Sequence, residues 1–314
     1  MKLFQNIIKG DRLSLAKGIT LIESDLDLDV KKSEELIGKC LPYSGNSIRI
    51  CVTGAPGVGK STFIESFGNT LILEGKKVAV LAIDPSSETT KGSILGDKIR
   101  MNELASNKDA FIRPSPSSGE LGGIAKKTRE NIILCEAAGF DIILIETVGV
   151  GQSETIAKNL VDYYLLLSLT GAGDEIQFIK RGIMELIDGL AVTKADGDNI
   201  KNAKKTEQEY RSTINSILKS ENFKPFIGIC SATKNQGIKE IWEEINDYIE
   251  MRRRSDEFLR NRVKQNIFWL NQILKNEIGN LKYQKLVKNN RLVEFERKIT
   301  THNFNIYKLI NQLH

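Results

Sequence analysis

The sequence predicts an α/β protein: a mostly parallel sheet with helices on both faces, a helical extension before it and a helical arm after it. Three observations predict it. Six short, nearly continuous apolar runs alternate with helical segments between Ser47 and Cys230. Strands that are apolar along their whole length belong to sheets covered on both faces. A glycine-rich loop leaves the first run and enters a helical segment, and strand signals stop near residue 250, where an apolar stripe at steps of three and four takes over. The expected organisation is an extension at 1–45, a sheet domain at 46–250 and an arm at 251–314.

Residues 3–42 read as helix, because Leu13, Leu15, Ile19, Leu21 and Ile22 are apolar at roughly helical spacing among Lys, Asp and Glu. The six runs, each read as a strand, are Ser47 to Thr53, Lys77 to Ile83, Asp141 to Ile145, Tyr163 to Ser168, Gly189 to Thr193 and Pro225 to Cys230. No internal repeat is visible. In the arm, Leu259, Val263, Ile267, Leu270, Leu274, Ile278 and Leu281 predict one long amphipathic helix. Its stripe either covers this chain's own core or packs on a second chain. Its distance beyond the last strand favours the second, so a homodimer is expected.

Composition removes several classes. The 314 residues are 40% hydrophobic and 27% charged, which excludes collagen-like, mucin-like and wholly disordered chains. No stretch of about 18 apolar residues free of charge occurs, so no membrane span is expected. Met1 to Gln5 lacks the apolar core of a signal peptide, and the first few dozen residues are too acidic for a mitochondrial presequence. Cys40, Cys51, Cys135 and Cys230 are scattered, as reduced buried thiols would be. A cytoplasmic protein is expected. Net charge is +5, but residues 251–314 hold 14 Lys and Arg against 5 Asp and Glu. That surplus fits a solvated helical face or an acidic protein partner. With no zinc-finger or Gly-aromatic-Gly pattern, nucleic acid is not expected as a partner, nor is a membrane.

Gly54-Ala55-Pro56-Gly57-Val58-Gly59-Lys60-Ser61, followed by Thr62, matches G-x-x-x-x-G-K-[ST] between a strand and a helix, the context that this phosphate-binding motif requires. Gly57 and Gly59 let the backbone curl its N–H groups inward around phosphates. The helix start adds its positive dipole end. Lys60 supplies a cation to the β- and γ-phosphates, and Ser61 supplies a hydroxyl to Mg²⁺.

Two loops point to guanine. Thr193-Lys194-Ala195-Asp196 follows the fifth strand. The Asp196 carboxylate can accept from both N1–H and the exocyclic amine of guanine, and Lys194 can lie along base and ribose. The signature usually begins with Asn; Thr193 is expected to cost a net hydrogen bond, about 1 kcal/mol. After the sixth strand, Ser231-Ala232-Thr233 can offer N–H groups to the guanine carbonyl. Glu146 ends the third strand and can reach Mg²⁺ through water, with Gly149 close behind to meet the γ-phosphate. Asp84 ends the second strand and Asp97 follows in a loop. Carboxylates at strand ends beside a phosphate loop read as Mg²⁺ and water ligands. Val150 cannot orient a water, so slow intrinsic hydrolysis is expected.

The segment from Phe111-Ile112-Arg113-Pro114-Ser115-Pro116-Ser117-Ser118-Gly119 through Leu121-Gly122-Gly123 to Glu146-Thr147-Val148-Gly149-Val150-Gly151-Gln152-Ser153-Glu154 closely resembles the MeaB/ArgK family. So do Gly10-Asp11-Arg12 and Gly173-Asp174-Glu175-Ile176-Gln177 with Lys180-Arg181-Gly182. These are G-protein chaperones of adenosylcobalamin-dependent methylmalonyl-CoA mutase. The likeness covers most of residues 5–250. It implies a P-loop GTPase core of the SIMIBI class with a C-terminal dimerisation arm, and GTP or GDP bound with Mg²⁺ at residues 54–62. It also implies an acyl-CoA mutase as partner, gated in its cofactor loading. Asp84, Asp97 and Glu146 match the positions linked to Mg²⁺ and the hydrolytic water. Residues 171–181 resemble a third switch, whose Lys180 matches the lysine that enters the nucleotide site when the mutase docks. Phe178 stands where the family usually has glycine, and Thr193 where it has Asn.

Three other readings stand beside this one. An ATPase or kinase serving lysine, arginine and ornithine transport conflicts with the guanine signature. A nickel metallochaperone GTPase would carry a His-rich or Cys-x-x-Cys segment, whereas the histidines are His302 and His314. A nucleotide-dependent scaffold dimer would show no turnover with a mutase.

Overall fold

The computed structural model describes residues 2–83, 101–114, 121–147, 153–171, 186–217, 224–299 and 306. They form two compact units, one from 48–118 and 142–251, the other from 1–47, 119–141 and 252–314.

The first unit holds a seven-stranded sheet: β1 Ile48–Gly54, β2 Val78–Ile83, β3 Ala110–Pro114, β4 Ile142–Thr147, β5 Tyr163–Ser168, β6 Gly189–Val192 and β7 Phe226–Ile229. Their order is β3-β2-β4-β1-β5-β6-β7, and every pairing is parallel. The core strands β1, β4 and β5 are almost wholly buried, as their unbroken apolar runs require. Parallel strands put all their C-terminal ends at one edge, where a doubly wound sheet binds its ligand. Six strands match the apolar runs to within a residue or two. β3 is additional. Arg113 and Pro114 interrupt its apolar run, and it lies at the sheet's edge, where proline is tolerated.

Within this unit α4 Lys60–Leu73 follows β1. It buries Phe63, Ile64, Phe67 and Leu71, the i, i+1, i+4, i+8 face of a helix laid on a sheet. Phe67 meets Trp242 of Ile238–Arg254 edge-on at 6.3 Å. Among the described residues, the shorter helices Asn102–Ser106 and Ser153–Lys158 and the long Ile200–Ile217 add to this cover.

The second unit is helical. The N-terminal segment is three helices rather than one: α1 Lys2–Ile7, α2 Arg12–Glu23 and α3 Asp27–Cys40. Gly10 turns with φ +79°, and Asp11 caps α2 by accepting from the N–H groups of Leu13 and Ser14. These helices pack with Leu121–Ala137. Gly18 admits that contact, since a Cβ there would stand 2.8 Å from Leu134 Cδ2.

The arm differs from one straight helix. Glu257–Lys288 is kinked at Gly279, whose φ is +74° and ψ +159°, and Arg291–Lys298 folds back against it. Nor is the predicted stripe one exposed face. Leu270 and Leu274 are fully buried in their own chain, together with Phe258, Trp269 and Ile273, whereas Leu259 is 48% and Leu281 85% exposed. The reason is a buried ion pair: Arg262 reaches Glu136 at 3.5 Å and donates to the Ser47 carbonyl at 2.9 Å. It turns inward the helix face that carries Phe258, Arg262, Gln265 and Trp269.

Candidate functional site

The candidate site lies at the C-terminal edge of the sheet, within the first unit. β1 ends at Gly54, and the loop to Lys60 turns through Gly57 and Gly59 at φ +79° and +98°. Side chains with a Cβ rarely adopt that backbone, so these two glycines set the loop's shape. The α4 helix begins directly after Gly59, whose carbonyl accepts from Phe63 N–H at 2.9 Å.

Lys60 is buried to 9% exposure. Its ammonium donates to the carbonyls of Gly54 at 2.8 Å and Ala55 at 3.3 Å, which holds the cation within the loop it serves. Ser61 donates to Glu146 Oε1 at 3.5 Å, and both are buried. Thr147 donates to Thr53 at 2.8 Å, a tie between β4 and β1 that fixes Glu146 beside the loop. A hydroxyl and a carboxylate this close form a hard oxygen pair suited to Mg²⁺. Phosphate oxygens and waters complete the shell of such an ion, so the absence of a cluster of three acidic, His or Cys ligands among the described residues is compatible with it.

The base loops converge next to it. Lys194 donates to the Gly57 carbonyl at 3.0 Å, so its stem runs along the phosphate loop. Asp196 Oδ2 accepts from the hydroxyls of Ser231 and, at 3.3 Å, Thr233. The main chain joins the same two loops, through Ala195 N–H on the Cys230 carbonyl at 3.0 Å. A Ser231–Gln236 bridge closes the second loop, and Asn235 accepts from Ser66 of α4 at 2.9 Å. Ala232 sits between these anchors. The carboxylate is thus oriented by neutral hydroxyls, which leave its charge available to a ligand's N–H donors.

Thr193 makes contacts that the sequence does not announce. Its hydroxyl donates to the Val58 carbonyl at 2.8 Å and lies 3.2 Å from that of Ser168, so it braces the phosphate loop against β5. The residue thus contributes a buried hydrogen bond within the protein. Sequence reasoning missed this brace, together with Asn235, Thr53 and Asn199; these polar side chains carry no motif, and only the fold brings them to the site. Gly54, Ala55, Pro56, Gly57, Val58, Gly59, Lys60, Ser61, Thr62, Glu146, Thr193, Lys194, Asp196, Ser231, Ala232 and Thr233 all lie in or beside the edge just described. Asp84, Asp97, Gly149, Val150, Phe178 and Lys180 fall outside the described residues.

The four cysteines are free and buried. Burial pushes the thiols of Cys40 and Cys230 up to about 12 and that of Cys135 higher still. Among the described residues no helix is long and apolar enough to cross a membrane.

Comparison with known proteins agrees with this geometry. The model of the family described as methylmalonyl Co-A mutase-associated GTPase MeaB matches residues 15–286. The GTPase ArgK of Escherichia coli is 46% identical over 273 residues, 87% of this chain and 82% of that protein. The mitochondrial methylmalonic aciduria type A homolog of Mus musculus is 40% identical over 313 residues, 95% of this chain and 74% of its own. A crystal structure described as LAO/AO transport system kinase superposes with a TM-score of 0.75 at 36% identity, covering 94% of this chain and 97% of that one.

Proposed function

Since the chain belongs to the MeaB family of GTPases, we propose that it binds GTP and Mg²⁺ at the sheet edge and escorts an adenosylcobalamin-dependent acyl-CoA mutase of the methylmalonyl-CoA type. In this role it gates cofactor loading and protects or reactivates the mutase. The observation that carries the nucleotide half is the tie between the Lys60 loop and the Asp196 loop, through Lys194 on Gly57 and Thr193 on Val58, with Asp196 aligned by Ser231 and Thr233. The family's description carries the partner half.

In this reading the loop N–H groups and Lys60 bind the β- and γ-phosphates, while Asp196 accepts from N1–H and the amine of guanine. Ser61, with Asp84, Asp97 and Glu146, would hold Mg²⁺, which supplies charge neutralisation on the phosphates when bound. Asp97 and Glu146 also orient the attacking water. The γ-phosphoryl group transfers to that water, and GDP leaves with the bridging oxygen. Gly149 steadies the γ-phosphate, and Val150 offers no polar group to the water, so turnover alone is slow. The homodimer forms through the arm.

The partner supplies acceleration by seating Lys180 against the transition-state charge. An inserted cation of this kind gives about 10³ to 10⁵ in rate. The test is single-turnover GTP hydrolysis with and without the mutase. Wild type is expected to be strongly stimulated, and Lys180→Ala to lose most of that stimulation. A wild type that neither binds the mutase nor speeds up in its presence overturns the escort role.

A further inference from the structure

Lys194 has φ +56°, a left-handed backbone that a residue with a long side chain adopts only where its surroundings enforce it. The chain turns there. β6 ends at Val192, Thr193 is tied to the phosphate loop, and by Asp196 the backbone is extended again with φ −134°. The Lys194 peptide is therefore the elbow that carries the chain from the phosphate loop to the base-reading carboxylate.

One side chain clamps that elbow. Asn199 Nδ2 donates to the Lys194 carbonyl at 2.7 Å, and its Oδ1 accepts from the Thr170 hydroxyl at 3.0 Å. Its own N–H donates to the Asp196 carbonyl at 3.0 Å, so main chain and side chain of one residue grip both ends of the Lys194–Asp196 turn. The amide's orientation is fixed by chemistry. The Lys194 carbonyl can only accept, so Nδ2 faces it, and the Thr170 hydroxyl, able to do either, donates to Oδ1.

We infer that Asn199 is a positioning residue for guanine discrimination, acting through the Lys194 carbonyl, with Thr170 orienting its amide. The inference rests on Asp196 reading guanine. Hypoxanthine lacks the exocyclic amine, so the preference for GDP over IDP measures how well Asp196 is placed for its second hydrogen bond. A change that only loosens the fold lowers both affinities together and leaves that ratio alone.

Calorimetry of GDP, IDP and ADP binding to wild type, Asn199→Ala, Asn199→Asp and Thr170→Val tests it, with thermal melts to establish folding. Asn199→Ala is expected to lower the GDP:IDP ratio about fivefold, the effect of one net hydrogen bond. Asn199→Asp should lower it further, because a carboxylate would face the Lys194 carbonyl. Thr170→Val should lower it about twofold. A wild-type ratio retained in the folded Asn199 variants overturns the inference; if one of them fails to fold, the other and Thr170→Val decide. A wild type that binds ADP as well as GDP overturns the guanine reading itself, a distinct outcome.

Discussion

The two units hold charge in different settings. At the sheet edge the partners of Lys60, Glu146 and Asp196 include carbonyls and hydroxyls, groups that fix geometry around the phosphate loop and the base loops. In the helical unit Arg262 and Glu136, with side chains 3% and 1% exposed, face each other as opposite charges at 3.5 Å. Glu136 also accepts from Gly45 N–H at 2.8 Å and Ser47 at 2.6 Å. The first arrangement is organised for binding, the second for holding distant parts of the chain together. Substitutions in the first should therefore move affinity, and those in the second stability.

The largest effect expected is on Arg262. Removing one partner of a buried pair strands the other and costs about 3–5 kcal/mol. Arg262→Ala should lower unfolding free energy by that much in urea, while GDP affinity under native conditions changes less than about twofold. A tenfold loss of affinity would break the distinction between the units. The converse test is Lys60→Ala. Losing charge-assisted contacts to two phosphates should weaken GTP binding by about 100-fold, about 3 kcal/mol, with little change in the melt. Unchanged affinity would place the phosphate site elsewhere.

Glu130 sharpens the same contrast through pH. It lies on Leu121–Ala137, buried at 5% exposure. Burial pushes its carboxyl up to about 7, against the pull of Lys126, Arg129 and Lys127 on its own helix and with a further push from Glu34. A carboxyl raised in the folded state binds its proton more tightly folded than unfolded. It therefore stabilises most below its ordinary 4.5, and that contribution is lost as pH climbs toward 7. Full loss is at most about 3 kcal/mol. Glu130→Gln should flatten the fall in stability between about pH 5 and 7, measured by urea unfolding across pH. An identical slope in wild type and variant would assign the titration to another group.

What the sequence reveals is what is local. The glycine loop, its strand and its helix are contiguous, so residues 54–62 announce themselves. The Asp196 loop does too, because its carboxylate follows a strand at once. Arg262 carries no such signal. It reads as one more basic residue of a basic arm, and its partner Glu136 lies far back in the chain. The apolar spacing from Leu259 to Leu281 is real, but periodicity does not know that an arginine will be turned inward or that Gly279 will break the helix. Likewise the 3–42 periodicity conceals the turn at Gly10, where one left-handed residue and an Asp cap divide it.

The smallest effect separates two meanings of one substitution. From sequence, Thr193 is a weakened guanine contact; in the fold it is a brace, buried at 5% exposure with its hydroxyl on the Val58 carbonyl. If it is a brace, Thr193→Val leaves the Val58 carbonyl without this donor, at about 1 kcal/mol, while the Ser168 carbonyl keeps the main-chain N–H of residue 193 at 2.8 Å. Phosphate-loop order suffers, so GDP and IDP affinities should fall together by about fivefold, and Thr193→Ser, which keeps the hydroxyl, should restore most of both. If Thr193 instead contacts the base, Thr193→Val should alter the GDP:IDP ratio, and Thr193→Asn should improve GDP binding. Calorimetry of both nucleotides on the three variants decides it. A fall in both affinities at constant ratio is the result expected of the brace.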